Sequence, residues 1–244
     1  MTECFMQFSP YTISEIIQAV PEVFIIKLKP KIGSTFSFLP GQFAAISNPN
    51  YSNPAEPHYF SIASSPLSQD HLEFCFRVYG NWTQAFSKKQ IGEEIFVSGA
   101  FGSFVWNENI DQAVFLAGGV GIAPFMSMLR TLHLKNQTPE ITLLYGSRTL
   151  ETIIFKNELE QLVKTINTLK VVHILSEVGP TNQWSGARGF MTAEFIKKEV
   201  EEMQTPKFFL CGPPIFVQKL NQVLSALQIA PEKISKEQFT GSAV

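Results

Sequence analysis

FLAGGVGIAPFMSM, residues 115–128, decides how the chain reads. An apolar strand, Ala113 to Leu116, runs into Ala117-Gly118-Gly119-Val120-Gly121, and an apolar helical run follows to Leu134. Glycine lets the main chain take positive φ and lets a ligand approach with no Cβ in the way. The first turn of the helix then offers unpaired N–H groups and the positive end of a dipole to an anion. Strand, glycine turn and helix together suit the pyrophosphate of a dinucleotide. The spacing is Gly-Gly-x-Gly-x-x-Pro, which differs from the dinucleotide fingerprint Gly-x-Gly-x-x-Gly. Taken alone such a motif is equally the mark of a plain turn, so its surroundings must decide.

From Gln112 onward strands and helices alternate. Strands are expected at 113–117, 140–145, 170–175 and 207–210, with helices at 122–134, 157–167, 192–203 and 214–227. That alternation implies parallel strands joined by helical crossovers. Ligands in such sheets bind beyond the carboxyl ends of the strands. Each expected strand ends in residues suited to that edge: Gly118-Gly119, Gly146-Ser147-Arg148, Ser176-Glu177, and Cys211-Gly212-Pro213-Pro214. Four such endings in order favour a nucleotide.

Before Asn107–Asp111 the chain has a different character. Strands are expected within Met6–Ala19 and at Val23–Leu28, Gln42–Ile46, Tyr59–Ala63, Leu72–Val78 and Glu94–Ser98. Pro40-Gly41 reads as a turn, Asn48–Pro57 as an exposed loop, and Thr83–Lys89 as one short helix with Thr83 as a candidate N-cap. Short strands broken by frequent turns suggest an antiparallel barrel. The expected fold class is thus β barrel plus α/β: an antiparallel barrel over residues 1–108, then a parallel-sheet nucleotide-binding domain over 109–244.

Composition narrows the function. The chain has 244 residues, 45% of them hydrophobic and 16% charged, which describes a folded protein with a substantial core. Its 22 phenylalanines strengthen that reading. A net charge of −2 without a long basic run argues against nucleic acid. The longest apolar stretch is interrupted by Gly118, Gly119, Gly121 and Pro124, so it reads as strand plus helix and not as a membrane span. Met1–Pro10 does not read as an export signal. Three scattered cysteines, Cys4, Cys75 and Cys211, support neither a disulfide framework nor a metal or iron–sulfur site. A reducing, cytoplasmic setting is expected.

Five motifs occur in order: Pro40-Gly41-Gln42-Phe43, His58-Tyr59-Phe60-Ser61, Gly80-Asn81-Trp82-Thr83, Gly118-Gly119-Val120-Gly121-Ile122-Ala123-Pro124 and Cys211-Gly212-Pro213-Pro214. Together they resemble the ferredoxin–NADP reductase superfamily from about Tyr11 to Phe239. His58 in place of the usual Arg, with Phe60-Ser61 and Gly-x-Trp-Thr, is similar to the dehydrogenase module of ferric reductases and NADPH oxidases, here without the haem-bearing membrane domain. The resemblance implies a flavoprotein that binds FAD, ahead of FMN, in the barrel. His58, Tyr59, Phe60 and Ser61 then lie at the flavin, Phe60 against its ring and Ser61 near its N5. Gly80 and Thr83 hold flavin phosphate, and Trp82 either covers the flavin or its adenine or packs on the barrel. Gly118, Gly119, Gly121 and Pro124 carry the nicotinamide nucleotide, and Cys211, Gly212 and Pro213 stand at the nicotinamide. Glu237 and Phe239 match the family's Glu-x-aromatic, whose aromatic shields the flavin. Ser61, Cys211 and Glu237 are the implied catalytic residues.

Chemistry then follows from the two cofactors. Hydride passes from nicotinamide to flavin, and the protein supplies orientation and electrostatics. No haem ligands or iron–sulfur cysteines are apparent, so the electron acceptor, a redox protein or ferric iron, is expected outside this chain. Ser147 and Arg148 suit a 2′-phosphate while Glu177 repels one, which leaves NADH and NADPH both open. An NAD(P)H:flavin reductase using free flavin, and a non-autonomous electron-transfer subunit, are the alternative functions.

Overall fold

The computed structural model describes residues 6–48, 56–179 and 184–238. Two six-stranded sheets organise the chain. The first contains β1 (Ser9–Val20), β2 (Val23–Pro30), β3 (Phe43–Ser47), β4 (His58–Ser61), β5 (Leu72–Arg77) and β6 (Glu94–Phe101). Its order is β4-β3-β6-β1-β2-β5, with every pairing antiparallel. A bridge between Ile62 and Phe74 brings the two edges together, which closes the sheet into a barrel. Inward residues of alternating strands (Ile13, Ile26, Leu28, Ile46, Phe74, Phe76, Ile95, Val97) fill its core. The helix α1 (Gly80–Ser87) covers one side with Trp82 and Phe86.

The second sheet is parallel, in the order β10-β9-β8-β7-β11-β12. It is built from β7 (Gln112–Gly118), β8 (Glu140–Ser147), β9 (Leu169–Leu175), β10 (Ala187–Arg188), β11 (Lys207–Gly212) and β12 (Ile234–Gln238). Strand side chains alternate between two cores, as period-2 geometry requires. Ala113, Phe115 and Ala117 face one, together with α2 (Ala123–Leu134) and α3 (Lys156–Thr165). Val114 and Leu116 face the other, together with α4 (Ala193–Glu199) and α5 (Pro214–Ala226). The α2-side core also takes in Val23, Ile25, Ala63 and Cys75 from the barrel, so apolar packing continues from one half into the other.

Three expectations shift. The short helix begins at Gly80, not Thr83, and has Tyr79 as N-cap residue without a side-chain cap. Thr83 lies inside the helix with its hydroxyl turned back to the backbone: Oγ1 accepts from Tyr79 N and donates to Tyr79 O, both at 2.6 Å. The glycine turn is a 3₁₀ turn, Gly119–Ile122, that precedes α2. The strands β10 and β12, absent from the sequence reading, extend the sheet at both edges.

Candidate active site

At the carboxyl end of the parallel sheet, β12 beside β11 reaches the barrel strand β4. Glu237, in register with Cys211 on the neighbouring strand, reaches across to β4, where Ser61 Oγ donates to Glu237 Oε2 at 2.8 Å. Cys211 Sγ lies 4.0 Å from the same oxygen. Thus the three implied catalytic residues, 176 positions apart at their extremes, share one buried corner. Burial pushes the Glu237 carboxyl up to about 7, against a smaller opposing effect of the Ser61 hydrogen bond. Burial, reinforced by Glu237, raises the Cys211 thiol, which is therefore protonated and not a nucleophile at neutral pH.

The glycines around this corner have different reasons to be glycine. Gly119 takes φ +54, and a Cβ there would meet nothing within 4 Å, so its outer face is open to a ligand. A Cβ on Gly121 would lie 2.3 Å from the Cys211 carbonyl oxygen, so that glycine is demanded by the close passage of β11. Tyr145, fully buried, donates from its hydroxyl to Gly119 O at 3.1 Å and accepts from Ile154 N at 3.3 Å, which fixes the turn from behind. Pro124 sits in the first turn of α2 and Pro213 is the N-cap residue of α5. Sequence reasoning missed Phe216. Its ring is so close that a Cβ on Gly118 would lie 3.0 Å away and one on Gly212 2.8 Å away. The available signal was an aromatic in the first turn of a helix that starts at a strand's carboxyl end.

On the barrel, His58 and Phe60 share one face of β4. His58 stacks on Trp82 with centroids 4.3 Å apart, and Phe60 packs against Phe76, Trp82 and Phe86. Trp82 is buried. Burial lowers the His58 pKa, so its ring is neutral near pH 7 and offers one N–H, not a charge. Tyr59 points the other way, half exposed at the edge of Phe43. Gly80 opens α1 at φ +76 with nothing within 4 Å of a built Cβ, leaving the helix N-terminus accessible to an anion.

Ser147 and Arg148 stand at the end of β8. Ser147 is buried. Arg148 is half exposed, with Nη2 3.9 Å from Glu22 Oε2 on the β1–β2 turn. Its carbonyl accepts from the N–H of Glu177, so the two residues weighed for reading a ribose are backbone neighbours. Phe239 lies outside the described residues. Among the described residues no group of His, Cys, Asp and Glu could hold a metal ion, and no helix is long and apolar enough to cross a membrane.

Residues 115–222 match the family model of the oxidoreductase NAD-binding domain. The reductase component of propane 2-monooxygenase from Mycolicibacterium goodii is 27% identical over 237 residues, covering 93% of this chain and 67% of that protein. A crystal structure of an Amycolatopsis cytochrome P450 reductase superposes with a TM-score of 0.86 at 21% identity, over 98% of this chain and 71% of the other. A Neisseria gonorrhoeae ferredoxin NADP+ reductase, crystallised with bound FAD and NADP, superposes with a TM-score of 0.81 at 21% identity, over 95% and 98% of the two chains. A barrel followed by a parallel sheet is the architecture that the two solved structures share with this chain at the level of fold. The fold of the chain is therefore that of the ferredoxin–NADP reductases, with an oxidoreductase NAD-binding domain over residues 115–222. The chain spans 53–67% of the length of four curated relatives that it matches.

Proposed function

We propose that the chain takes electrons from NADH or NADPH through FAD and hands them to a separate acceptor protein. The corner formed by Ser61, Glu237 and Cys211 carries this reading. It brings a hydroxyl from the barrel and a small buried thiol from the parallel sheet to one carboxyl group. When bound, the two cofactors supply the redox chemistry, hydride moving between nicotinamide and flavin. The residues present fit them: Gly119 and Gly80 leave open approaches for phosphates at the starts of two helices. Cys211 contributes a small side chain that permits close stacking. Ser61 presents its hydroxyl at the barrel side, and Glu237, with its pKa at about 7, can hold or release a proton through that hydroxyl near neutral pH. Reactant alignment to roughly 3–3.5 Å is then the main contribution of the fold.

The acceptor class rests on the relatives. The names of several are reductase or electron-transfer components of oxygenases, which implies a protein acceptor. Ferric iron, the other acceptor raised by the likeness to ferric reductases, is separated by assay. A second reading has its own support. Neutral His58 and the inward-turned Thr83 hydroxyl both weaken the hold on flavin phosphate, which suits an NAD(P)H:flavin reductase with exchangeable flavin.

The deciding experiment is the visible spectrum of the purified protein, followed by anaerobic NADH or NADPH. We expect flavin bands that survive desalting and bleach with one of the two donors. A colourless protein that oxidises the nucleotide only with added flavin selects the second reading. No reaction even with added flavin sinks both.

A further inference from the structure

The residues that carry the corner chemistry do not explain the buried charge behind α2. Arg130, near the end of that helix, donates from Nη1 to the Ala63 carbonyl at 2.8 Å and to Glu73 Oε1 at 2.7 Å. Its Nε and Nη2 fork onto Glu158 of α3 at 2.6 and 2.7 Å. Its guanidinium also lies 5.2 Å from the Phe155 ring centroid. Two neighbours on the same helix face act with it. Ser127 Oγ donates to the Ser64 carbonyl at 2.7 Å. Thr131 Oγ1 spends its proton on Ser127 O, so it accepts from Ser65 Oγ at 2.9 Å. Positions i, i+3 and i+4 of one helix therefore seize three consecutive residues of the barrel, Ala63, Ser64 and Ser65.

Those three residues begin two positions after Ser61. The same segment is pinned from the other side, where Ala63 N donates to Glu73 O at 2.7 Å and Glu73 N donates to Ser64 Oγ at 3.1 Å. The helix itself starts directly after the glycine turn. At about 1.5 Å per residue, some 12 Å of rigid helix separates Ala123 from Thr131. Apolar packing already joins the halves here through Val23, Ile25, Ala63 and Cys75. Adhesion therefore does not require ions, and buried ion pairs add little net stability over apolar packing. What directional bonds add is register: they admit one placement of Ser61 relative to Gly119.

We infer that Ser127, Arg130 and Thr131 are positioning residues that set the distance between the nicotinamide seat and the flavin seat by clamping the Ser61 segment to the helix of the glycine turn. This inference rests on the flavin and nicotinamide reading of the corner. Glu73 and Glu158 serve the clamp by holding the guanidinium in place. Among the described residues the clamp makes no hydrogen bond to the Ser61, Glu237 or Cys211 side chains, so its effect is transmitted through the backbone from Ala63 to Ser61.

The test uses the full chain supplied with FAD. The double variant Ser127→Ala/Thr131→Val removes two hydroxyls and no charge, and Arg130→Lys keeps the charge while losing the fork. Three quantities are measured. They are hydrogen exchange at the Ala63 amide without added cofactor, equilibrium binding of NAD+ and NADP+, and the limiting rate of anaerobic flavin bleaching at saturating NADH or NADPH. For the double variant we expect Ala63 exchange to quicken about tenfold and the limiting rate to fall at least about tenfold, with flavin content and nucleotide dissociation constants within about twofold; misplacement by about 1 Å can cost on the order of a hundredfold. Arg130→Lys should move both readouts further in the same direction. A limiting rate within twofold of wild type despite faster exchange overturns the inference, and so does a loss confined to nucleotide affinity. If Arg130→Lys fails to fold, the hydroxyl variant decides alone. A wild-type protein that binds flavin and never bleaches sinks the functional reading and the clamp with it; a bleaching wild type with unaffected variants sinks the clamp only.

Discussion

At the carboxyl end of the parallel sheet the two halves meet through Ser61, Glu237 and Cys211, and behind α2 they meet through Arg130, Glu73 and Glu158. Both junctions are polar and largely buried, yet they answer burial in opposite ways. Among the described residues no cation pairs with Glu237, and burial lifts its carboxyl to about 7, where its charge changes near neutral pH. Burial works against the charge of Arg130 too, but the hydrogen bonds to Glu158 and the charge of Glu73 outweigh it and hold the guanidinium above its ordinary value. One junction is built to change protonation, the other to keep its charge under all working conditions. The first property suits the redox role proposed for the corner, the second the spacing role inferred for the clamp.

The widest separation between them should appear on removing one charge from each. Arg130→Met leaves two carboxylates, Glu73 with only 5% of its side chain exposed, without their main cation. We expect a loss of about 3–5 kcal/mol in urea unfolding, the range for breaking a buried pair from one side. A loss below about 1 kcal/mol would mean that the carboxylates find water or Lys27 instead, and the junction would not be a rigid one. Gly121→Val attacks the redox corner without touching a charge. Its Cβ has no room beside the Cys211 carbonyl, so β11 must move, and we expect about 3 kcal/mol and a displaced Cys211. Unchanged stability would show that the close passage of β11 over the glycine turn is relaxed in solution.

Glu237→Gln should be smaller and opposite in sign. A carboxyl raised from 4.5 to about 7 binds more protons folded than unfolded between those values, so wild-type stability falls as pH rises through that window. The full shift corresponds to about 3 kcal/mol above pH 7, which residual solvent contact reduces to about 1–2 kcal/mol. Glutamine still accepts from Ser61 and does not ionise. The variant should therefore gain on wild type by that amount at pH 8, and the gain should vanish near pH 4. A difference that stays flat from pH 4 to 8 would remove the contrast between the two junctions.

Much of this was legible before any coordinates. Strand and helix alternation after Gln112, and the barrel before it, follow from hydrophobic periods and turn residues, which are local properties. The corner could be named only by resemblance, because Ser61 and Glu237 are joined by folding across most of the chain. What escaped reading has a common cause. Ser127, Arg130 and Thr131 look like ordinary residues of an apolar helix until their partners, 57 to 67 positions away, are in place. The strand β12 is mostly polar, Ile234-Ser-Lys-Glu-Gln, and is a strand only because the exposed edge of β11 pairs with it. Thr83 illustrates the opposite error: a residue type suited to capping, whose hydroxyl bonds back to Tyr79 from inside the helix.

A third contact crosses between the halves, and it calibrates the other two. Glu22 on the β1–β2 turn stands 3.9 Å from Arg148 and 3.9 Å from Arg77, all of them well exposed. Exposed pairs at that distance contribute a few tenths of a kcal/mol at most, so Glu22→Gln should leave unfolding within about 0.5 kcal/mol of wild type. Its effect should fall on ligand choice instead. Glu22 faces Arg148, the cation proposed to suit a 2′-phosphate, and Glu177 is its backbone neighbour, so both acids would disfavour a second anion there. Removing the Glu22 charge should improve NADPH relative to NADH by about threefold, and Arg148→Ala should shift the ratio the other way, comparable to the strength of a surface charge contact. Initial rates with the two donors measure both. A ratio unmoved in either variant would confine Arg148 to the solvated surface, and would leave the buried junctions as the only places where charge between the halves matters.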